Sequence, residues 1–373
     1  MSMRERNRTY NRILEIGPIP PPRAGWGVRI EYVLQGLRDA GVECAALDLG
    51  ENRKVRRPEC EDVQSGWDFM KKVWRYLSRG YRLHTHLNAC SMKAYVLVLY
   101  ATILSWFFRR PPVLTWHGGT GHGWFPIQNG NLFVNQVHRI IFHLSEWIIC
   151  NDEKIARHLA EYGVPMQKIV SIPAFSVEYL KYTPTEVPDN VRDFVESHSP
   201  LAFCYLMFRP EFYLAELAEG VRLLRERHPD FGIILVGSNA GYEKFEQELT
   251  SRGLGSETVL ALGDVSHDAF LTIIQLCDVY IRTPNRDGIA SSVLESLAYG
   301  VPVVAAANAL RPPQVHTYQA EDPVDMARVV TQLMELPREG RRPEPPEIPD
   351  TVQREVAVLT NCRECPEAAL SNV

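Results

Sequence analysis

The sequence has no excess of basic residues. Its 373 residues include 40 lysines and arginines against 45 aspartates and glutamates, for a formal charge of -5. A surface that binds nucleic acid needs many cations to neutralise phosphates, so this balance argues against a nucleic acid partner. Eight cysteines form no disulfide-rich pattern, and no secretory signal pattern precedes the first strand-like run, Arg12 to Gly17. We therefore expect a protein of the reducing cytoplasm.

Hydrophobic runs long enough to cross a membrane are also missing. The longest run, Ala94 to Phe108, would rise only about 22 Å as a helix, whereas the hydrocarbon core is ~30 Å thick. We interpret this run as a buried helix. Peripheral contact with the inner face of the membrane is the alternative, because the aromatic end of the run is followed by Arg109 and Arg110.

Residues at metal-ligand spacing are scarce. No Asp-x-Asp lies near the candidate site described below, and the C-x-x-C formed by Cys362 and Cys365 has no second pair, so we interpret both cysteines as incidental. His84 and His86 are two residues apart on a predicted strand and therefore share one face. They could bind a metal, but packing or the lining of a cleft is our preferred interpretation. We expect neither a metal nor a cofactor.

Strand-like runs alternate with helical patterns twice along the chain. Such alternation is typical of parallel strands joined by helical crossovers, and the length favours two domains. We predict an α/β protein with a doubly wound domain over 1–175, a linker over 176–200, and a second doubly wound domain over 201–336. Residues 337–373 begin with a stretch rich in proline and charge, which predicts an extended tail.

Two carboxylates flank a predicted loop and helix in "RDGIASSVLESLAYGVPVVAA", which follows the apolar run "CDVYIRTP". In open parallel sheets, ligands bind beyond the carboxyl ends of strands, where the N-terminus of a helix offers free amides to an anion. Glu295 falls about one turn inside this helix and could bind a vicinal diol such as a ribose, and Asp287 could do the same for a hexose. Taken alone, the two acids fit a solvated helix residue and a turn former equally well.

The same string resembles the signature of glycosyltransferase family 4, the glycogen synthase-like, mostly retaining enzymes with a GT-B fold. In that family two glutamates eight positions apart precede an A-x-G-x-P-V-V-A run, and here Asp287 and Glu295 precede Ala298 to Ala305. The resemblance extends over roughly Ile13 to Leu336. It implies two Rossmann-like domains facing each other across a cleft. It also implies retaining, metal-independent transfer of a sugar from a nucleotide-sugar donor to a hydroxyl of a glycan, lipid-linked or small-molecule acceptor.

The resemblance also implies roles for individual residues. The nucleotide base would lie near Gly237, Ser238 and Val265, the ribose on Glu295, the diphosphate on Arg209 and the backbone of Gly288, Ile289, Ala290 and Ser291, and the transferred sugar on Asp287. On the other domain, His117 would face the sugar or the acceptor, and Gly25 and Gly27 a phosphate or the acceptor. Each glycine of that last pair is an equally good candidate for a plain turn.

The sequence departs from the family pattern at several positions. No lysine follows Arg209 within a dozen residues to help hold a diphosphate, and Asp287 stands where the family has glutamate. Two alternatives therefore stay open. One is a nucleotide-sugar epimerase of the same architecture, and the other is a degenerate transferase that acts as a binding or scaffold subunit.

Overall fold

A computed structural model describes residues 9–20, 25–119, 123–237, 241–285 and 290–361. The chain divides into two compact units. Among the described residues, the first comprises those up to Tyr179 together with those from Pro349 onward, and the second those from Leu180 to Ile348. Each unit contains a six-stranded sheet in which all neighbouring strands are parallel.

The sheet of the first unit has the strand order β2-β1-β3-β4-β5-β6. Its strands are β1 Arg12–Gly17, β2 Glu43–Asp48, β3 Arg82–Leu87, β4 Val113–Trp116, β5 Trp147–Cys150 and β6 Ile169–Ser171. Its helices are α1 Gly25–Asp39, α2 Gly66–Ser78, α3 Met92–Phe107, α4 Leu132–Leu144 and α5 Glu153–Ala160. One residue directly precedes each of the helices α2, α3, α4 and α5. Its side chain accepts a hydrogen bond from the backbone amide three residues later, which fixes where the helix begins.

The sheet of the second unit has the order β12-β11-β10-β7-β8-β9. Its strands are β7 Leu201–Tyr205, β8 Gly232–Val236, β9 Val259–Gly263, β10 Val279–Arg282, β11 Val303–Ala306 and β12 His316–Tyr318. Its helices are α6 Asp189–Ser197, α7 Leu214–Arg227, α8 Tyr242–Ser251, α9 His267–Ile274, α10 Ser291–Ala298, α11 Pro323–Glu335 and α12 Arg338–Arg341. The central strands of both sheets are buried on both faces, as parallel sheets require. The predicted pair of doubly wound Rossmann-like domains is confirmed.

The two connecting segments differ from their predictions. Residues 176–200, predicted as a linker, contain α6, whose Val191 and Phe194 pack in the core of the second unit. The extended tail predicted over 337–373 is corrected for its central part, because helix α13, Thr351–Thr360, packs on α1 in the first unit. The proline content of the preceding stretch concealed the apolar positions Val352, Val356 and Leu359, which follow a helical period and are buried.

Among the helices that the structure describes, none combines the length and the apolar character that a membrane crossing requires.

Candidate functional site

The second unit has a topological switch point at β7. This strand lies between β8 and β10, so the chain leaves β7 toward one edge of the sheet and later returns on its other side. In open α/β sheets, the crevice beyond the carboxyl ends of the strands at such a point is where ligands bind. Here β7 ends at Tyr205 and β10 at Arg282. The predicted donor-binding residues follow these and the neighbouring strands.

Helix α10 presents an uncapped N-terminus after β10. Ala290 provides no side-chain cap, and its carbonyl already accepts from the amides of Val293 and Leu294 at 3.1 and 3.4 Å. The amides of Ser291 and Ser292 make no hydrogen bond within the described part of the chain. Ser292 Oγ lies 2.7 Å from the hydroxyl of Tyr280 on β10, which anchors the helix to the sheet. The N-terminus therefore offers donors and a partial positive charge to an anion.

Glu295 lies in the second turn of α10 and is buried, with 5% of its surface exposed. Its Oε1 is 2.9 Å from Nε2 of His267, the first residue of α9. A buried carboxylate requires such a partner, and the contact fixes its orientation while leaving acceptor capacity for a ligand hydroxyl. Sequence reasoning missed His267, because nothing in a separation of 28 residues indicates that the two side chains meet.

Arg209 follows β7 and is exposed to solvent. Its guanidinium makes no hydrogen bond with any residue that the structure describes, so its donors are available to a ligand. Burial raises the pKa of Tyr205 at the end of β7, the charges of Asp264 and Glu295 raise it further, and those of Arg282 and Arg209 lower it. The charged groups placed around this edge of the sheet are thus close enough to influence one phenol.

Arg282 is a second cation at this edge that sequence reasoning did not identify. It is the last residue of β10 and is buried, with Nη1 3.4 Å from the carbonyl oxygen of Tyr205 and the guanidinium 5.3 Å from the ring centre of Phe212. The lysine expected after Arg209 is absent from the sequence, but Arg282 adds positive charge beside the same strand end. A buried positive charge of this kind raises the local electrostatic potential.

Gly237 directly follows β8 and has φ of +145°, a conformation that favours glycine. A Cβ atom at this position would lie 1.9 Å from the carbonyl oxygen of Leu206. Its amide donates to Gly263 at 3.0 Å, so this donor is used within the sheet. Val265, two residues beyond β9, is half-buried against the core. Both positions lie at the predicted edge of the sheet, and Gly237 is required there by close backbone packing.

Four predicted site residues lie outside the described residues: Ser238, Asp287, Gly288 and Ile289. Their assigned contacts with the base, the transferred sugar and the diphosphate stay predictions.

The first unit holds a chain of buried hydrogen-bonding side chains that ends at His117. His117 Nε2 lies 2.9 Å from His86 Nδ1, and His86 Nε2 lies 3.1 Å from Glu15 Oε2. The other oxygen of Glu15 is 2.7 Å from His84 Nδ1, and His84 Nε2 is 2.8 Å from the hydroxyl of Thr115. The strand order places β1 beside β3 and β3 beside β4, which brings these residues into one row.

Charged groups from two helices complete this row. Arg29 on α1 donates through Nε to Glu355 on α13 at 2.6 Å and through Nη1 to Asn151 at 3.0 Å. The other Glu355 oxygen lies 3.5 Å from the hydroxyl of Thr115. The ring of Trp26 packs on His117 with 4.3 Å between centroids. His117 is thereby held at the partly exposed end of this network, in which Glu15, His84, His86 and Glu355 are buried.

Burial dominates the titration of this network. It raises the pKa of Glu15 to about 7 and lowers those of His84 and His86 to about 4, and it holds the pKa of His117 well below its ordinary value. Ligand atoms of Glu15, His84 and His86 lie within 4.8 Å of one another, a spacing that could hold a metal ion. Both ring nitrogens of His84 and of His86 already have hydrogen-bond partners, so the contacts are those of a hydrogen-bonded relay. The absence of a metal stays a prediction.

The pKa shifts predict acid sensitivity. His84 and His86, with pKa values lowered from 6.5 to about 4, contribute stability above pH 6.5 that is lost as the pH falls. Glu15, with its pKa raised from 4.5 to about 7, contributes stability below pH 4.5 that is lost as the pH rises to about 7. His117 shifts in the same direction as the two histidines, as does His138, whose pKa burial lowers to about 4, so the histidines outnumber the carboxyl group. Between pH 6.5 and 4.5, stability should therefore fall as the pH falls.

Urea unfolding at a series of pH values checks this expectation. The urea midpoint should fall on acidification, and His86→Gln should reduce the slope, because it removes one titrating group from the row. A midpoint that is flat or rises between pH 6.5 and 5 would contradict the assigned pKa shifts.

Gly25 and Gly27 begin helix α1 in the first unit. A Cβ atom on Gly27 would lie 3.2 Å from the carbonyl oxygen of Pro18, so a small residue lets the helix start pack on the loop after β1. This packing explains why a glycine lies at position 27. The predicted nearness of Gly27 to a phosphate or acceptor stays a prediction.

Comparison with known proteins bears on both units. Residues 193–342, less than half of the chain but most of the second unit, match the family described as "Glycosyl transferases group 1". A comparison with curated proteins gives no match. Anabaena HepE in complex with UDP has a TM-score of 0.64 at 15% identity, covering 94% of this chain and 95% of that chain. The fold is GT-B.

Other solved structures share this fold. A glycosyltransferase from Rickettsia africae has a TM-score of 0.65 at 15% identity, covering 98% of this chain and 100% of its own. A Listeria monocytogenes structure named for a UDP-N-acetylglucosamine 2-epimerase has a TM-score of 0.64 at 10% identity, covering 94% and 96%. At 15% identity or less, these likenesses show the shared fold.

Proposed function

We propose that this protein transfers a sugar from a nucleotide-sugar donor to an acceptor hydroxyl. The observation that carries the proposal is the arrangement at the switch point of the second unit. An uncapped helix N-terminus, the exposed Arg209 and the buried Glu295 lie there beyond the ends of β7 and β10. This arrangement falls within the stretch that matches the group 1 glycosyltransferases. Solved relatives of the fold were determined with UDP and with UDP-glucose, which supports a nucleotide-sugar donor.

The charges suit the leaving group. Transfer breaks the bond between the anomeric carbon and the diphosphate oxygen, so negative charge grows on the diphosphate. Arg209 and the amides at the start of α10 would stabilise that charge, and Arg282 at the end of β10 would raise the local electrostatic potential. The acceptor oxygen would form its bond to the anomeric carbon on the same face, with its proton passing to the departing phosphate. This path gives retention and requires no strong protein base.

The remaining roles follow the same assignment. Glu295, oriented by His267, accepts hydrogen bonds from the two hydroxyls of the ribose, and Asp287 binds the transferred sugar. In the first unit, His117 contacts the sugar or acceptor through the ring edge that its bond to His86 leaves available. The acceptor is a glycan, a lipid-linked saccharide or a small molecule. We place the reaction in the cytoplasm and expect it to need no metal.

An epimerase is the second candidate function, because a structure named for that activity shares the fold. The chemistry differs in one respect that can be measured. An epimerase converts the donor without an acceptor, whereas a transferase forms a new glycosidic bond.

Product analysis of the full chain tests the proposal. We expect release of a nucleoside diphosphate that depends on an added acceptor, a product heavier than the acceptor by one sugar, and an unchanged rate in excess EDTA. An isomerised donor formed without acceptor would establish the epimerase instead. Calorimetry that detects no binding of a panel of nucleoside diphosphates to the folded protein would favour a scaffold, and a rate abolished by EDTA would refute metal independence.

A further inference from the structure

Helix α3 exposes several of its apolar residues to solvent. Met92, Val96, Ile103, Trp106 and Phe107 are exposed, up to 76% for Phe107, and their spacing places them on one side of the helix. The side that faces the core contains Tyr95, Val98, Ala101, Thr102 and Ser105, so apolar residues lie on both sides of this helix. A helix at the surface of a globular protein normally has polar residues on its solvent side. The prediction that this run is a buried helix is therefore wrong for the side that carries these five exposed residues.

The helices on either side of α3 share this property. Leu132, Phe133 and Ile140 are exposed on α4, and Trp67 and Trp74 on α2, with Leu132 at 78%. Helix α3 packs against both α2 and α4, and the Trp74 ring lies 5.2 Å from that of Phe108. We call the ten exposed residues on these three helices the apolar face: Trp67, Trp74, Met92, Val96, Ile103, Trp106, Phe107, Leu132, Phe133 and Ile140.

The charges on these helices are positive. Helices α3 and α4 contain no aspartate or glutamate, and the one acid of α2, Asp68, pairs with Lys72 at 2.9 Å. Lys71 lies 5.6 Å from the ring centre of Trp67, and Lys93, Arg109 and Arg139 are exposed at the rim. The whole chain carries a charge of -5, so this surface has the opposite sign to the rest of the protein.

Exposed tryptophans and phenylalanines surrounded by lysine and arginine match the interface of a lipid bilayer. Tryptophan prefers the level of the headgroups, and basic side chains are attracted to anionic lipids. A protein partner is less well suited, because lysine is depleted in protein interfaces. Helix α3, with 16 residues, is short for a crossing but can lie in the plane of the interface.

We propose that the apolar face docks this protein onto the surface of an anionic bilayer, with its aromatic side chains at the boundary of headgroups and acyl chains. The inference goes beyond sugar transfer and does not depend on it. Vesicle binding can succeed or fail whatever reaction the second unit performs.

Vesicle flotation with the full chain tests this docking. We expect binding to phosphatidylcholine vesicles that contain phosphatidylglycerol, weakening with added salt, and at least roughly tenfold weaker binding to phosphatidylcholine alone. The double variant Trp106→Glu, Phe107→Glu should reduce binding by roughly a hundredfold, since each aromatic side chain contributes about a factor of ten. Brominated lipids should quench the tryptophan fluorescence of the wild type, but much less that of the variant.

Two controls make the outcome decisive. Val324→Glu changes an exposed apolar residue on α11, far from these helices in sequence, and should leave vesicle binding intact. Circular dichroism should show the same fold for every variant. The proposal is overturned if the wild type binds neither vesicle, or if the double variant binds as the wild type does. Concentration-dependent self-association that the double variant loses, without vesicle binding, would instead identify a protein interface and overturn it as well.

Discussion

Arg209→Ala is expected to lower kcat by roughly a hundredfold or more while the protein stays folded. Arg209 is exposed, and no described residue occupies its guanidinium, so its removal costs the fold little. Its charge faces the place where we put the leaving diphosphate, and loss of one such donor typically costs ~3 kcal/mol in the transition state. Steady-state kinetics with a saturating donor would measure the effect.

Two further variants serve as controls for this result. Arg227→Ala removes an exposed arginine from the last turn of α7, away from the carboxyl ends of the strands, and should leave kcat unchanged. Arg209→Lys keeps the charge but loses the planar fork, and should recover only part of the rate. If Arg209→Ala retained most of the wild-type rate, the diphosphate would have to lie elsewhere.

Glu295→Gln is expected to weaken nucleotide affinity by at least roughly tenfold. A carboxylate that accepts two ribose hydroxyls makes charge-assisted hydrogen bonds, each worth about 1.5–3 kcal/mol, and the amide is a poorer acceptor. Calorimetric titration with the nucleoside diphosphate separates this effect from any effect on the chemical step.

The matched variant is His267→Asn. Glu295 is buried against His267. If Glu295 served only to pair with His267, the Glu295→Gln and His267→Asn variants would lose equal thermal stability, and both would bind nucleotide as tightly as the wild type does. We expect the His267 variant to lose stability but to retain more nucleotide affinity than Glu295→Gln. Unchanged affinity in a folded Glu295→Gln protein would remove Glu295 from the site.

The fold could be predicted because its signals are local. Strands of three to six residues alternate with helices, and that alternation is visible without knowing which strands are neighbours. The position of Glu295 inside α10 could be predicted for the same reason. The exposure of one apolar side of α3 could not, because a run of uniformly apolar residues does not show which side faces the core.

The side-chain partnerships could not be predicted, because they depend on strand order. Glu15 meets His84 and His86 only because β1 pairs with β3, a neighbour that is not next in sequence. Arg282 gives no periodic signal at all, since a charged residue at the end of a buried strand has no local pattern. The sequence predicted the histidines on one face of a strand, and strand pairing determined what they touch.

Helix α13 has a consequence for how the chain matures. The last described helix belongs to the first unit, so the second unit is inserted between two pieces of its neighbour. Arg29 emerges from the ribosome early, whereas its carboxylate partner Glu355 follows more than three hundred residues later. At synthesis rates of roughly 5–20 residues per second, the Arg29 guanidinium waits tens of seconds for its counter-ion. The second unit, which is continuous in sequence, can complete its core while the first is still missing a helix.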